Sequence, residues 1–447
     1  MEDGLPNCRQ CGAVLPSVTF GDVSDYCADC RKQLAPPSVP KHDLIEDLPQ
    51  ISASTNPWLN ATSVLLAINC LVFLFMTIRG ASPILPDTDQ LLRWGANYGP
   101  YTLAGQYWRL VTCAFLHIGI LHLGLNMWVF WRLGRMLEKL IGAFMLAGVY
   151  VLTGVGASLL SLSWNPMRVS AGASGAIFGI VGVLISLLYF AKLEIPQDRM
   201  SRLRAYVTRL ALYNLFYGLF GHIDNMAHLG GLVTGLVMGF FLARSLAAQT
   251  RELFPQVRVL ILAGCALLAI FVPVSRAKSY VVELEEGKTA IRNQDYNSAI
   301  QHLQRYTRAQ DNEPDGHVAL AYALYRADRL DEAAHEYQRA LQLQPDYPLV
   351  QLALAELYQS QGKSKEAVPL FAKSISRVIA DSDDYLLYGQ ALVATEDYHQ
   401  AESALHKSIS LDGKNPQAHL ELAKVLRALN RYPEARKEDE QAAAMQK

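Results

Sequence analysis

The sequence predicts an all-α protein: a polytopic membrane helix bundle of six core helices plus a seventh span, an α-solenoid after it, and a small cysteine-held ribbon before it. Three observations carry this reading. Long charge-free apolar stretches fill the middle of the 447-residue chain, a strict 34-residue period marks its last third, and four cysteines in two CxxC pairs stand near its start. Charge separates the parts as well. Forty basic and 41 acidic residues give a net charge of -1, but residues 56–276 hold 16 of the basic and 7 of the acidic ones, a net of +9. This mixture excludes a single soluble domain, a disordered chain and a disulfide-dense secreted scaffold. The near-neutral total gives no electrostatic case for a nucleic-acid partner. No apolar stretch follows a basic start, so a cleavable signal peptide is not expected.

Cys8, Cys11, Cys27 and Cys30 have the paired spacing of a structural zinc site. Four thiolates close a tetrahedral shell and leave no open position for catalysis. The competing reading is a pair of disulfides; the cytoplasmic placement argued below favours structural Zn2+. Residues 1–34 are similar to a zinc ribbon, a unit too small to fold without its metal. Residues 35–57, with five prolines, read as a linker. Cys70, Cys113 and Cys265 stand alone in apolar runs and read as small buried hydrophobes.

Residues 59–78, 110–131, 141–162, 169–191, 226–243 and 259–274 carry no charge and are long enough, or nearly so, to cross a bilayer core of about 30 Å. A weaker stretch, 206–220, is interrupted by Arg209 and counts as the fifth crossing, which makes seven. Loop charges set the orientation. With the N-terminus in the cytoplasm, Arg132, Arg135 and Lys139, then Lys192, Arg199, Arg202, Arg204 and Arg209, then Arg244, Arg251 and Arg258 lie inside. Only Arg79, Arg93, Arg109 and Arg168 lie outside. Seven crossings then put the C-terminal domain outside the cytoplasm, and the chain is expected in the cell (plasma or inner) membrane. The first outer loop is rich in Trp, Tyr, Gly and Pro. That composition suits either an ordered functional loop or an aromatic belt in the interface.

Polar groups inside the apolar region point to chemistry. The second stretch carries His117, His122 and Asn126, the fourth opens with Gly172, Ala173, Ser174 and Gly175, and the sixth holds His228. Such side chains are costly in lipid and face the bundle interior or a wet cavity, either as helix–helix glue or as a site. Spacing discriminates. His122 and Asn126 share one helix face. Gly175 with Gly179, and Gly231 with Gly235, form two GxxxG pairs that let two helices approach closely beside Ser174 and His228. A serine hydroxyl needs a base within about 2.6–3.2 Å, and an imidazole with a pKa of about 6.5 suits that role. His122, Asn126 and the backbone N–H groups at a helix start can hold a developing oxyanion.

GxSG at Gly172–Gly175, the Trp108-Arg109 dipeptide, the spacing of His117, His122 and Asn126, and the AHLGGLVTG run at 227–235 together resemble the rhomboid family of intramembrane serine proteases over residues 58–243. The resemblance implies Ser174 as nucleophile and His228 as general base in a dyad, with His122, Asn126 and the Ser174 N–H as oxyanion hole. It implies supporting roles for His117 (outer loop and water access), for Phe178 (stacked on the catalytic histidine, where a tyrosine is common), and for Gly172, Trp108 and Arg109. Asp224 is read as a helix cap rather than a third member. Cleavage itself is expected to need no cofactor.

Ala299, Ala333, Ala367, Ala401 and Ala435 recur every 34 residues, and Gly287, Ala321, Ala355, Gly389 and Ala423 stand twelve before them. Small residues at fixed points let paired helices pack closely, and residues 280–446 look like about five tetratricopeptide repeats. Such solenoids offer a concave surface to a protein partner, or serve as spacers. The six histidines from His302 onward show no site-like spacing.

The expected domains are therefore 1–34 (zinc ribbon), 35–57 (linker), 58–243 (six-helix protease core), 257–276 (seventh span) and 280–446 (repeats). The expected function is an intramembrane serine endopeptidase acting on transmembrane protein substrates in the lipid bilayer. Its ends would regulate it or bind partners. The alternative is a catalytically inactive rhomboid-like membrane-protein binder or adaptor.

Overall fold

A computed structural model describes Cys8, Ala13 and residues 60–217, 224–247 and 253–445. The remaining residues, with Cys11, Cys27, Cys30 and His222 among them, lie outside the described set. The membrane part contains α1 (Ala61–Ile78), then in the long loop after it the short helices α2 (Thr88–Trp94), α3 (Gly99–Leu103) and α4 (Arg109–Thr112), and then α5 (Ile120–Ile141), α6 (Ala143–Trp164), α7 (Ser174–Phe190), α8 (Gln197–Tyr217), α9 (Asn225–Ala247) and α10 (Leu253–Ala277). Of these, α1, α6, α9 and α10 are each long and apolar enough to cross a membrane, and α7 is apolar but shorter.

Two expected spans differ in the structure, in three respects. Residues 110–131 are not one helix: α4 and the 3-10 turn after it meet α5 at 93°. The break is at Gly119, whose φ of 90° is left-handed, and a Cβ there would lie 2.1 Å from the Ile84 carbonyl oxygen. Only glycine allows that crossing. Second, α5 runs on to Ile141 and takes Arg132 and Arg135 into the helix, their guanidinium groups over the Trp128 and Trp131 rings at 5.8 and 4.8 Å. Third, the fifth stretch is α8, starting at Gln197 and carrying Arg199, Arg202, Arg204 and Arg209 within it. That charge keeps it out of the set apolar enough to span. The expectation of small buried hydrophobes holds for Cys113, which is buried, but Cys70 is half-buried and Cys265 is exposed on α10.

The α1 start is fixed from a distance. The buried Glu138 carboxylate on α5 accepts the Ala61 and Thr62 backbone N–H groups at 2.7 and 3.0 Å, and the Thr62 hydroxyl at 2.5 Å. It covers the positive end of that helix. In the bundle centre, α7 and α9 lie in backbone contact: a Cβ on Gly231 would sit 1.9 Å from the Gly175 carbonyl oxygen.

The C-terminal part is five helix pairs, α11 (Tyr280–Arg292) with α12 (Tyr296–Ala309), α13 (Pro314–Arg326) with α14 (Leu330–Leu343), α15 (Pro348–Ser360) with α16 (Ser364–Ser374), α17 (Ser382–Ala394) with α18 (Tyr398–Leu411), and α19 (Pro416–Ala428) with α20 (Tyr432–Met445). The five marker alanines are buried. Each pair turns on one left-handed residue, Gln294, Asp328, Gly362, Glu396 and Asn430, again 34 apart. The histidines do have a pattern. His317 and His419, three periods apart, are buried; each faces a glutamate 19 residues on through Nδ1 (Glu336, Glu438; 2.6 Å) and a carbonyl six residues back through Nε2. In the first repeat the pair is inverted, with Glu283 on the first helix and His302 on the second. The solenoid begins against the loop after α1, where α11 packs on α3.

Candidate active site

Helix α7 starts at Ser174 itself, so its hydroxyl and its unshared backbone N–H stand together at the helix mouth. The residues before it are not helical. Asn97 and Ser170 exchange both backbone hydrogen bonds at 2.9 Å, and the Gly172 N–H donates to the Cys113 carbonyl at 2.9 Å. Gly172 is needed here for space and conformation: its φ is 147°, and a Cβ would lie 2.9 Å from the His122 ring.

The Ser174 Oγ lies 2.9 Å from His228 Nε2. This spacing follows from the glycine contact between α7 and α9 below the pair, which brings two residues 54 apart in sequence within bonding distance. Phe178, one turn on from the serine, stacks on the His228 ring at 4.3 Å and 17°. Asp224 is engaged elsewhere. It accepts the Ala227 N–H at 3.1 Å as a helix cap and takes the Ser161 hydroxyl, while His228 Nδ1 is buried without a hydrogen-bond partner among the described residues.

Two side chains on α5 face the same mouth. His122 Nδ1 accepts the Ile118 backbone N–H at 3.3 Å, which assigns the proton to Nε2 and makes that atom a donor. The Gly172 Cβ position lies 3.3 Å from His122 Nε2 and 3.6 Å from Ser174 Oγ, so donor and hydroxyl flank the same small space. Asn126 lies one turn further on, and its Nδ2 is buried with no acceptor among the described residues. His117 is fully buried, its ring 5.3 Å from that of His122. The mouth is partly open: Ser174 and His122 are half-buried, and His228 is buried.

Trp108 and Arg109 staple the loop after α1. Buried Arg109 donates to the Leu92 and Ala96 carbonyls at 2.7 and 3.0 Å and to the Gln106 side chain at 2.7 Å. The Trp108 ring covers Gly95. The loop is thus an ordered one. Sequence reasoning passed over Asn97, whose side chain also donates to the Ser158 carbonyl and accepts from Thr102. Its partners are remote in sequence, and no local pattern marks it.

For a metal, Cys8 is the one described member of the four cysteines; it is buried, and its N–H donates to the Ala13 carbonyl at 2.8 Å. Among the described residues Glu283, Glu286 and His302 also converge, but Arg305 Nε already donates to Glu283 at 2.8 Å and supplies the positive charge.

Residues 104–245 match the family model described as Rhomboid domain. Residues 284–348 and 324–376 match tetratricopeptide repeat models, and 360–438 match one described as anaphase-promoting complex, cyclosome, subunit 3. Among curated proteins, Rhomboid protease GluP of Bacillus subtilis is 30% identical over 311 residues, 66% of this chain and 57% of that one. RHOMBOID-like protein 6, mitochondrial, of Arabidopsis thaliana is 34% identical over 38% of this chain and 55% of its own. Rhomboid-like protease 1 of Toxoplasma gondii is 30% identical over 42% of this chain and 67% of its own. The chain spans about half the length of the first two.

Proposed function

The chain belongs to the rhomboid family, and on that premise we propose that it is an intramembrane serine endopeptidase that cuts transmembrane proteins at or near the outer membrane face. The observation that carries this is the 2.9 Å contact between Ser174 Oγ and His228 Nε2. The serine gives its proton to Nε2 and attacks the scissile carbonyl carbon. The carbonyl oxygen becomes an oxyanion, held by the His122 Nε2–H, the Asn126 amide and the Ser174 N–H. His228 then passes the proton to the leaving amine, and water, taken up at the half-exposed mouth, hydrolyses the acyl-enzyme with the same imidazole as base. Phe178 keeps the ring in plane, and Trp108, Arg109, His117 and Gly172 keep the mouth in shape. No acid is required beyond the dyad, since Asp224 is spent on Ser161 and the helix cap.

The reading extends to the ends of the chain. With α8, despite its arginines, as the fifth of seven crossings and the N-terminus in the cytoplasm, the repeats lie outside the cell or inner membrane, where they meet partner proteins; arginines over Trp128, Trp131 and Phe240 near the inner ends of α5 and α9 support that orientation. Cys8, Cys11, Cys27 and Cys30 hold structural Zn2+ at the N-terminus, away from the chemistry. The test is cleavage of a labelled single-span substrate by the purified full chain in detergent. Wild type cuts; Ser174→Ala and His228→Ala do not, and a fluorophosphonate probe labels wild type alone at Ser174. Equal cleavage by all three chains would overturn the reading, and no cleavage or labelling by wild type would favour the inactive adaptor.

A further inference from the structure

A cleft of about 400 Å3 separates α3 of the outer loop from α11 and α12 of the first repeat. Pro100, Tyr101 and Ala104 form one wall, and Glu285, Glu286 and Asp295 stand on the other. We infer that this cleft is an exosite for the outer flank of the substrate, and that it selects an extended flank carrying Lys or Arg. The inference rests on the protease reading and names its substrate class.

Position comes first. Helix α3 is tied to the segment that leads to the nucleophile: the Gly99 N–H donates to the Pro166 carbonyl at 2.8 Å, and Asn97 pairs with Ser170. The cleft is therefore held at a fixed place relative to Ser174, on the outer-loop side of the bundle. A transmembrane segment bound at the serine leaves the membrane on that side, and its flank is the part within reach. The cleft is also continuous with the contact between the solenoid and the loop, so neither wall must be assembled on binding.

Chemistry then fixes the flank. No Lys or Arg lines the cleft among the described residues. Among the described residues Glu285 and Glu286 are ion-paired from outside it, by Arg292 at 3.2 Å and His302 at 3.1 Å, in partly exposed pairs that an incoming cation can share. The opposite wall of proline, tyrosine and alanine suits the apolar stem of a long basic side chain. Residues 280–447 add 26 acidic against 19 basic groups, a field that draws basic segments in. Most transmembrane proteins keep Lys and Arg off their outer flanks. A cleft with this preference thus separates a minority of membrane proteins from the rest, which a site that reads only the apolar segment cannot do.

The test uses the full chain in detergent and three single-span substrates with one transmembrane segment and a basic, neutral or acidic outer flank. The basic flank is expected to lower KM by about 10-fold against the acidic one at low salt, with kcat unchanged and the gap closing at high salt. The double variant Glu285→Lys/Glu286→Lys is expected to reverse the order, and a chain that gains on the acidic flank is folded. Equal KM for the three flanks, or an order that survives the reversal, overturns the inference. A fluorescent peptide of the basic flank, added to the Ser174→Ala chain, reads binding without cleavage. Charge-ordered binding with no cleavage by wild type keeps the exosite and removes the protease. Cleavage blind to the flank does the opposite. A bound peptide that full substrate does not displace marks a separate partner and also overturns the inference.

Discussion

His122 takes the Ile118 N–H on Nδ1, so its one donor, Nε2, is left beside the Ser174 hydroxyl. Asn126 Nδ2, one turn along the same helix, is buried and has no acceptor among the described residues. A buried donor without a partner costs stability until something arrives to accept from it. Asn126→Ala is therefore expected to lower kcat by about 10²–10³ with little change in KM, as for the loss of one oxyanion donor. It is expected to leave the melting temperature in detergent unchanged or higher. A stability loss parallel to the activity loss would mean that the amide is structural.

Gly231 and Gly235 set the distance between α7 and α9, and hence between Ser174 and His228. A Cβ at Gly231 would meet the Gly175 carbonyl oxygen at 1.9 Å, and backbone cannot swing aside as a side chain can. Gly231→Ala should destabilise the bundle by about 1–3 kcal/mol and cut fluorophosphonate labelling of Ser174 by more than 10-fold, because the helices must part. Gly264→Ala on α10, whose nearest neighbour is at 3.8 Å, is the control and should do neither. Similar labelling of the two variants would show that the glycine contact does not govern the dyad.

Much of this was legible in the sequence where identity and spacing carry the information. The residues around Ser174 and His228, the GxxxG pairs and the 34-residue period are of that kind. What was not legible depends on contacts between remote segments. Hydropathy runs unbroken through Gly119, so the bend there is invisible until the Ile84 carbonyl crosses it. Asn97 finds Ser170, and Glu138 finds the start of α1, across 73 and 76 residues with no shared pattern. The repeat histidines are an intermediate case. His317 and His419 hold the same repeat position, and the period that located the alanines also relates these two, but the inverted Glu283–His302 pair hides the rule.

Glu138 is a buried carboxylate whose three hydrogen-bond donors among the described residues all belong to the first turn of α1. Glu138→Ala leaves the Ala61 and Thr62 N–H groups without acceptors and should cost about 2–3 kcal/mol, while Glu138→Gln, which keeps one acceptor oxygen, should cost less. Detergent melting of the two variants checks the order. Equal losses would assign the effect to the lost negative charge instead of to the acceptor oxygen.

The N-terminal cysteines give a prediction independent of the bundle. Four thiolates at the spacing of Cys8, Cys11, Cys27 and Cys30 suit one tetrahedral Zn2+. The purified chain should carry about one equivalent of zinc, and Cys8→Ser with Cys27→Ser should lose it while fluorophosphonate labelling at Ser174 persists. Metal analysis of both chains decides the matter. Zinc far below one equivalent in the wild type would remove the ribbon.

In the solenoid, burial of Glu356, reinforced by the carboxylates of Asp384 and Asp381, pushes its pKa up to about 7. The folded state therefore holds a proton that the unfolded chain, with an ordinary glutamate near 4.5, has already released. The sign follows: this proton's contribution is fully present below the unfolded value and is lost as pH rises from about 4.5 through about 7. Because Glu356 is partly exposed, solvent screening holds the effect to about 1–2 kcal/mol. Thermal unfolding of the full chain at pH 5 and pH 8 should show a drop in the solenoid transition for wild type and a flatter response for Glu356→Gln, which carries no charge to repel Asp384 at the higher pH. The variant should be the more stable of the two at pH 8 and near parity at pH 5. A wild-type transition that rises over this interval would contradict the assignment, since only a group with a lowered pKa gains stability in that direction.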